Sequence, residues 1–261
     1  MLKAYFDDSG THAESTVTVV GGLVGTEAQW MQFRQQWAEK LEHPLPGKPR
    51  LKMFHLSACK AGGGEFAGYS RGAERDAITH DFRQIIIAAN LIGTASAVDR
   101  RAWDELVVGP LRGELGDALS PCSENAVSET IRIAGPHPGG DKIAIVLDQG
   151  IDSPRLRLVA EYTTRLLATH AWVRSITFDS VEKTLPLQGA DMMATEACLH
   201  GVEWIQRGDS AEARAHFRHM LANLRCESVI LGRREIEAAL DKVRAELERR
   251  GPREEPVGWV C

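Results

Sequence analysis

The chain has 261 residues, enough for one large domain with a substantial core or for two small ones. Hydrophobic residues at 43% and charged residues at 26% are ordinary globular values and exclude wholesale disorder. A formal net charge of -5 excludes a chain coated in basic residues, and so disfavours tight nonspecific DNA binding, but it leaves room for a local basic patch.

Residues 2–6 (LKAYF) read as a short strand that ends in Asp7-Asp8-Ser9-Gly10, a cluster of strong turn formers. This N-terminal stretch lacks the long apolar run of a signal peptide. No apolar run approaches the ~20 residues that cross a bilayer, so a cytoplasmic protein with no membrane partner is expected. The β-branched run at 16–25 (TVTVVGGLVG) predicts a second strand, antiparallel to the first. Thr26-Glu27 opens a helix on which Trp30, Phe33, Trp37 and Leu41 recur at helical spacing. Residues 43–70 hold Pro44, Pro46, Pro49 and Gly62-Gly63-Gly64, a long stretch with little regular pattern of the kind that is functional or mobile.

A helix follows near 72–89, a strand at 91–98, and helices near 100–116 and 122–134. After the PHPGG break at 136–140, Ile143 to Leu147 are apolar without alternation, the pattern of a central strand covered on both faces. That strand stops at Asp148. A helix is expected at 154–169, a strand at 173–180, and helices near 187–207, 211–224 and 234–250, the last with a solvated, charged outer face. This order of elements fits an α/β fold, a mixed sheet covered by helices, over residues 1–208. Residues 209–261 are expected to form a helical extension packed on the same domain. The five cysteines include no C-x-x-C pair, which points to reduced thiols rather than a zinc ribbon or a disulfide framework.

The chemistry concentrates in aspartates. Ligand sites in such sheets gather at the carboxyl ends of strands, where Asp7 and Asp148 both fall. Each also suits a plain turn. Asp191 differs, because it lies on or beside the apolar stripe Leu187, Ala190, Ala194, Ala197, Cys198, Gly201 and Trp204. A carboxylate there needs a partner, and a helix N-terminus or a cation would serve. Three acids from two strands and a helix are the donor set of a Mg²⁺ or Mn²⁺ site, and two-metal phosphodiesterases use such convergence.

The segments AYFDDSG, Phe54-His55, IAIVLDQG, ITFDS and PLQGADMMA together resemble domain-of-unknown-function family 3800 over roughly residues 2–205. Its members begin with a strand leading into D-E-S-G and carry a late L-Q-x-A-D motif. The resemblance implies a ribonuclease H-like fold: three antiparallel and two parallel strands, flanked by helices, with acids at the carboxyl edge of the sheet. It places Asp7, Asp148 and Asp191 in the acidic site, with Gln188 one turn before Asp191. It puts Asp8, where the family has Glu, as a fourth possible metal ligand.

Other residues have two readings each. His55 and Lys52 either contact a phosphate or water at the site or belong to a packed loop. Ser9 and Ser180 are expected to cap turns or hold aspartates, and Asp179 to support the site or serve a turn. His12, Arg100, Arg101 and the pair His216 and His219 read better as surface. Gly62-Gly63-Gly64-Glu65-Phe66 is no phosphate-binding P-loop, because the G-K-[ST] ending is absent. The function expected is a metal-dependent nuclease acting on RNA or DNA. The alternative is a non-catalytic nucleic-acid-binding module, or an effector activated by a protein partner or by self-association.

Overall fold

The computed structural model describes residues 1–134, 142–149 and 173–250. The helix expected at 154–169, the PHPGG break and Cys261 lie outside these residues. In chain order the elements are β1 (Leu2–Ser9), β2 (Val17–Thr26), α1 (Glu27–Glu42), α2 (Leu56–Ala61), α3 (Ala73–Ala88) and β3 (Ile92–Asp99). There follow α4 (Arg100–Leu106), α5 (Pro110–Leu115), α6 (Leu119–Ala134), β4 (Ile143–Asp148) and β5 (Val173–Asp179). The chain continues with α7 (Leu185–Arg207), α8 (Ala215–Asn223), β6 (Cys226–Leu231) and α9 (Arg233–Arg250).

The strands form one six-stranded sheet in the order β5-β4-β1-β2-β3-β6. β2 runs antiparallel to β1 and β3, whereas β4 is parallel to β1 and β5 is parallel to β4. This is the ribonuclease H-like arrangement of three antiparallel and two parallel strands, with a sixth strand added at one edge. β6 pairs parallel to β3 from Gly93↔Cys226 to Val98↔Leu231. The segment expected to be wholly helical after residue 208 therefore supplies a strand. Its sequence, CESVIL, is short and has one polar end, as suits an edge strand, and gives too little pattern to separate from its helical neighbours.

Each face of the sheet carries its own core. On one side, Val19 and Leu23 of β2 and Tyr5 of β1 pack with Trp30, Phe33 and Trp37 of α1, Phe82 of α3 and Leu187, Ala190 and Met193 of α7. On the other, Ala4, Phe6, Val20 and Leu147 pack with Trp103 of α4, Cys122 and Val127 of α6, and Ile236, Leu240 and Val243 of α9. The inward stripe of α9 leaves its charged residues outside, as the spacing predicts.

The stretch 43–70 is part of the first core rather than a loose insertion. Leu51, Phe54, Leu56, Cys59, Phe66 and Tyr69 are all buried there. A run of ring contacts joins it to the sheet: Tyr5 to Trp30, Trp30 to Phe33, Phe33 to Trp37 and Trp37 to Phe54. Each such pair adds about 0.5–1.5 kcal/mol beyond area burial. Its prolines and glycines disguise these apolar anchors because they break any regular period.

α7 lies close on the sheet because small residues meet there. A Cβ on Gly21 of β2 would sit 2.5 Å from Ala194 Cα, and one on Gly201 would sit 3.1 Å from a Val17 methyl. Gly21 is thus required for close approach, not for a turn. Gly21→Ala should force β2 and α7 apart and destabilise the protein by about 1–3 kcal/mol. Urea denaturation would measure this, and an unchanged midpoint would mean that α7 does not rest on Gly21.

Candidate functional site

Residues at the carboxyl ends of β1, β4 and β5 stand side by side. Phe6 pairs with Leu147, which brings Asp7 beside Asp148, and Asp148 pairs with Asp179. β1 does not end at residue 6. It runs to Ser9, because β2 is long enough to keep pairing after β4 stops, with Asp7↔Gly21, Asp8↔Val20 and Ser9↔Val19. Asp7 is therefore a strand residue rather than the first residue of a turn.

Strand alternation then separates the two neighbouring acids. Gly21, the partner of Asp7, faces Ala194 of α7, so Asp7 lies on the α7 side. Val20, the partner of Asp8, packs in the opposite core, so Asp8 projects to the other face. The expected fourth ligand thus lies on the opposite face of β1 from Asp7. Its backbone N–H, however, donates to Asp7 Oδ1 at 2.8 Å.

Asp191 reaches the same edge from α7, on the side that carries Asp7. It is 3% exposed, its Oδ2 accepts from the Leu56 N–H at 3.1 Å, and His55 Nε2 lies 3.5 Å from its Oδ1. Burial pushes its carboxyl up, His55, the Leu56 N–H and Thr195 oppose this, and Asp148 adds to the rise. Asp148 is buried, and its Oδ1 accepts from the Val181 N–H at 3.0 Å. Asp7 is held well above the usual carboxylate range, first by burial, then by the charges of Asp191, Asp148 and Asp8. The three aspartates thus share one poorly solvated field, whose repulsion falls most heavily on Asp7 and drives its carboxyl toward the protonated form. Among the described residues, no three His, Cys, Asp or Glu side chains are grouped tightly enough to enclose one ion as they stand.

The structure brings His55 to this edge as the residue that opens α2, with Ser57 Oγ 2.9 Å from its Nδ1. Lys52 goes elsewhere: its side chain is exposed, its N–H is held by Glu65, and among the described residues no contact joins it to the aspartates. Asp179 accepts from Thr184 Oγ1 and the Ser180 N–H, and these bonds, Thr184 first, lower its carboxyl below the ordinary value. The Ser180 backbone therefore holds an aspartate, and its Oγ is buried with no hydrogen-bond partner among the described residues. Ser9 bonds the Cys198 thiol rather than an acid. His219 sits against Gln84 and Asn223 on α8, while Arg100 donates to the His12 carbonyl, away from the aspartates.

Gln188 turns out to be a clamp. It is fully buried: its Oε1 accepts from Trp37 Nε1 at 2.8 Å and from the Phe54 N–H at 2.9 Å, and its Nε2 donates to the Val181 carbonyl at 3.2 Å. One side chain therefore fixes the backbone before His55 and the backbone beside Asp148. Sequence reasoning missed a second group, in which Glu196 of α7 is ion-paired with Arg83 of α3 and Lys60 of α2. The one signal was a glutamate on the buried side of an otherwise apolar helix. Its partners are 113 and 136 residues away.

No protein-family model matches this chain, and no curated protein matches it in sequence. The resemblance to family 3800 therefore rests on the quoted motifs alone. Solved structures similar to it include Bst ribonuclease HIII in complex with Mn²⁺ (10% identity, TM-score 0.44), matched over 79% of this chain and 55% of that one. Another is the ribonuclease HII of the PCNA:ribonuclease HII complex from Archaeoglobus fulgidus (14% identity, TM-score 0.41), matched over 85% of this chain and 87% of that one. The chain thus spans about 55% of the length of the first. The ribonuclease H-like fold stands on strand order and direction. No helix among the described residues is long and apolar enough to cross a membrane.

Gln188→Ala should leave the Trp37 and Phe54 donors buried without partners and cost about 2–5 kcal/mol. It should also raise amide hydrogen exchange at residues 51–56 more than in β2. Equal protection in variant and wild type would show that Gln188 does not hold this segment.

Proposed function

We propose that the protein is a metal-dependent phosphodiesterase acting on nucleic acid, a nuclease of the ribonuclease H-like type, with Asp7, Asp148 and Asp191 as its metal ligands. The observation that carries this reading is the convergence of these carboxylates from two adjacent parallel strands and a helix, with Asp7 driven toward protonation by burial and then by its acidic neighbours. Hard oxygen donors and concentrated negative charge fit Mg²⁺ or Mn²⁺. A metal bound there supplies charge neutralisation at phosphoryl oxygens and a lowered water pKa. Family 3800, whose motifs the chain resembles, implies the same three positions.

The chain's own residues have separable parts in this reading. The Leu56 N–H and Thr195 hold Asp191, the Val181 N–H holds Asp148 and the Asp8 N–H holds Asp7, so each carboxylate accepts a backbone hydrogen bond before any substrate arrives. His55, beside Asp191, orients a water or the scissile phosphate. Asp179, already engaged by Thr184 and Ser180, supports the turn after β5.

Labelled single-stranded and duplex RNA and DNA, incubated with Mg²⁺, Mn²⁺ or EDTA, test the reading. Cleavage should require metal and fall by at least about a hundredfold in Asp7→Asn and Asp191→Asn, the scale of removing one transition-state electrostatic contact. His55→Ala should retain part of the activity. Cleavage that survives both aspartate variants would contradict the assignment, and none in the wild type would favour a binding module or a partner-activated effector.

Thermal unfolding gives an independent check. In EDTA, Asp7→Asn should raise Tm, because it removes a charge that its neighbours repel. Mn²⁺ should raise the wild-type Tm but not that of the variant. A lower Tm for the variant in EDTA would argue against repulsion at this edge.

A further inference from the structure

A cavity of about 410 Å³ opens between α2, α3, α7 and the start of α8. Five cationic side chains line it, Lys60, Arg71, Arg75, Arg83 and Arg214, against two carboxylates, Asp76 and Glu196. In a chain of net charge -5, this is a local excess of positive charge.

Its most telling member is Arg83. The side chain is 3% exposed and spends Nη2 on Glu196, while its Nε and Nη1 are buried with no hydrogen-bond partner among the described residues. A guanidinium with two orphaned donors in a buried setting is costly unless an acceptor reaches it. Glu196 cannot neutralise the group alone, because its Oε1 is shared with Lys60 Nζ at 3.1 Å. Burial pushes the Lys60 ammonium down, Glu196 opposes this, and Arg83 and Arg214 push it further down.

The rest of the wall is preorganised. Arg75 donates from Nε to the Tyr69 carbonyl at 3.1 Å and from Nη1 to the Lys60 carbonyl at 3.3 Å. Its guanidinium lies where a Cβ on Gly62 would stand, so glycine after α2 leaves room for it. Arg71 and Arg214 are exposed, and among the described residues neither takes part in an ion pair.

We propose that this pocket is a phosphate-binding subsite that seats a backbone phosphate of the strand bound at the carboxylate edge. The phosphate chemistry stands on the pocket itself, and the strand as its source rests on the nuclease reading. Guanidinium groups suit phosphate because they donate paired, charge-assisted hydrogen bonds. The position suits a strand as well. Glu196 follows Asp191 by five residues on α7, about 7.5 Å along the helix axis, and Lys60 follows His55 by the same count. Five residues also turn a helix by about 140°, so a strand with one phosphate at the aspartates would seat one several nucleotides along it, not the adjacent one, in this pocket.

The test is binding in EDTA, where cleavage plays no part. Inorganic phosphate is titrated calorimetrically, and labelled single-stranded RNA and DNA by anisotropy. The proteins are wild type, the Arg71→Ala/Arg214→Ala double variant, and Arg234→Ala as a control on the opposite face of the sheet. Both altered arginines are exposed, so the fold should survive. Arg83→Lys adds a conservative change inside the pocket.

The double variant should weaken both ligands by at least about tenfold, the value of one charged hydrogen bond. Its salt dependence for oligonucleotide should be shallower by about 0.7 per lost contact. Arg83→Lys should weaken both ligands in the same direction, and the control should match wild type. Unchanged binding of both ligands in the double variant would overturn the subsite. Loss of phosphate binding with unchanged oligonucleotide binding would overturn the strand as its source. Asp7→Asn should lose cleavage yet keep phosphate binding. A wild type that binds phosphate here but cleaves nothing would sink the nuclease reading and leave the pocket standing.

Discussion

Like charges held side by side repel, and the edge formed by Asp7, Asp148 and Asp191 is held together against that repulsion by the packing behind it. Burial and three acidic neighbours all push the Asp7 carboxyl toward its protonated form. Such an arrangement persists only where the surrounding structure over-determines it. In this protein α7 supplies most of the constraint, since it carries Asp191 and lies against β1 and β2. Its approach is set by contact between Gly21 and Ala194, next to the strand pair that carries Asp7.

Three residues of α7 tie the remaining parts of the site to that frame. Gln188 links Trp37 of α1, the backbone before His55 and the turn after β5. Asp191 receives the Leu56 N–H at the start of α2. Glu196 joins the same helix to Arg83 and Lys60. Breaking a buried ion pair leaves a charge uncompensated and costs about 3–5 kcal/mol, so the last contact resists displacement of α2 and α3. One helix therefore positions an acidic edge and a basic pocket along a single side of the sheet. On the proposed reading, the acids would hold the ion and the cations would hold phosphate.

Much of the fold was legible because the decisive elements have unmixed patterns. The unbroken apolar run at 143–147 marks β4, which is second from one edge of the sheet rather than central, and Trp30, Phe33, Trp37 and Leu41 mark α1. Each of the three aspartates stands out against apolar neighbours, which is why they could be singled out. Three features were harder to read, for physical reasons. The end of β1 depends on how far β2 extends, so Asp7 and Asp8 looked like a turn and the opposite facing of Asp8 went unread. β6 is a short edge strand whose pairing with β3 is a tertiary fact. The buried anchors of the stretch at 43–70 recur at no regular period, and the partners of Glu196 are distant in sequence, so neither leaves a local trace.

The central claim is that the three aspartates form a cation site. Crystals soaked in Mn²⁺ and measured at a wavelength where manganese scatters anomalously test it most directly. The account predicts a strong anomalous peak between Asp7, Asp148 and Asp191, absent from Asp7→Asn crystals treated in the same way. No peak there in well-soaked wild-type crystals, or a peak only at other carboxylates, would contradict it.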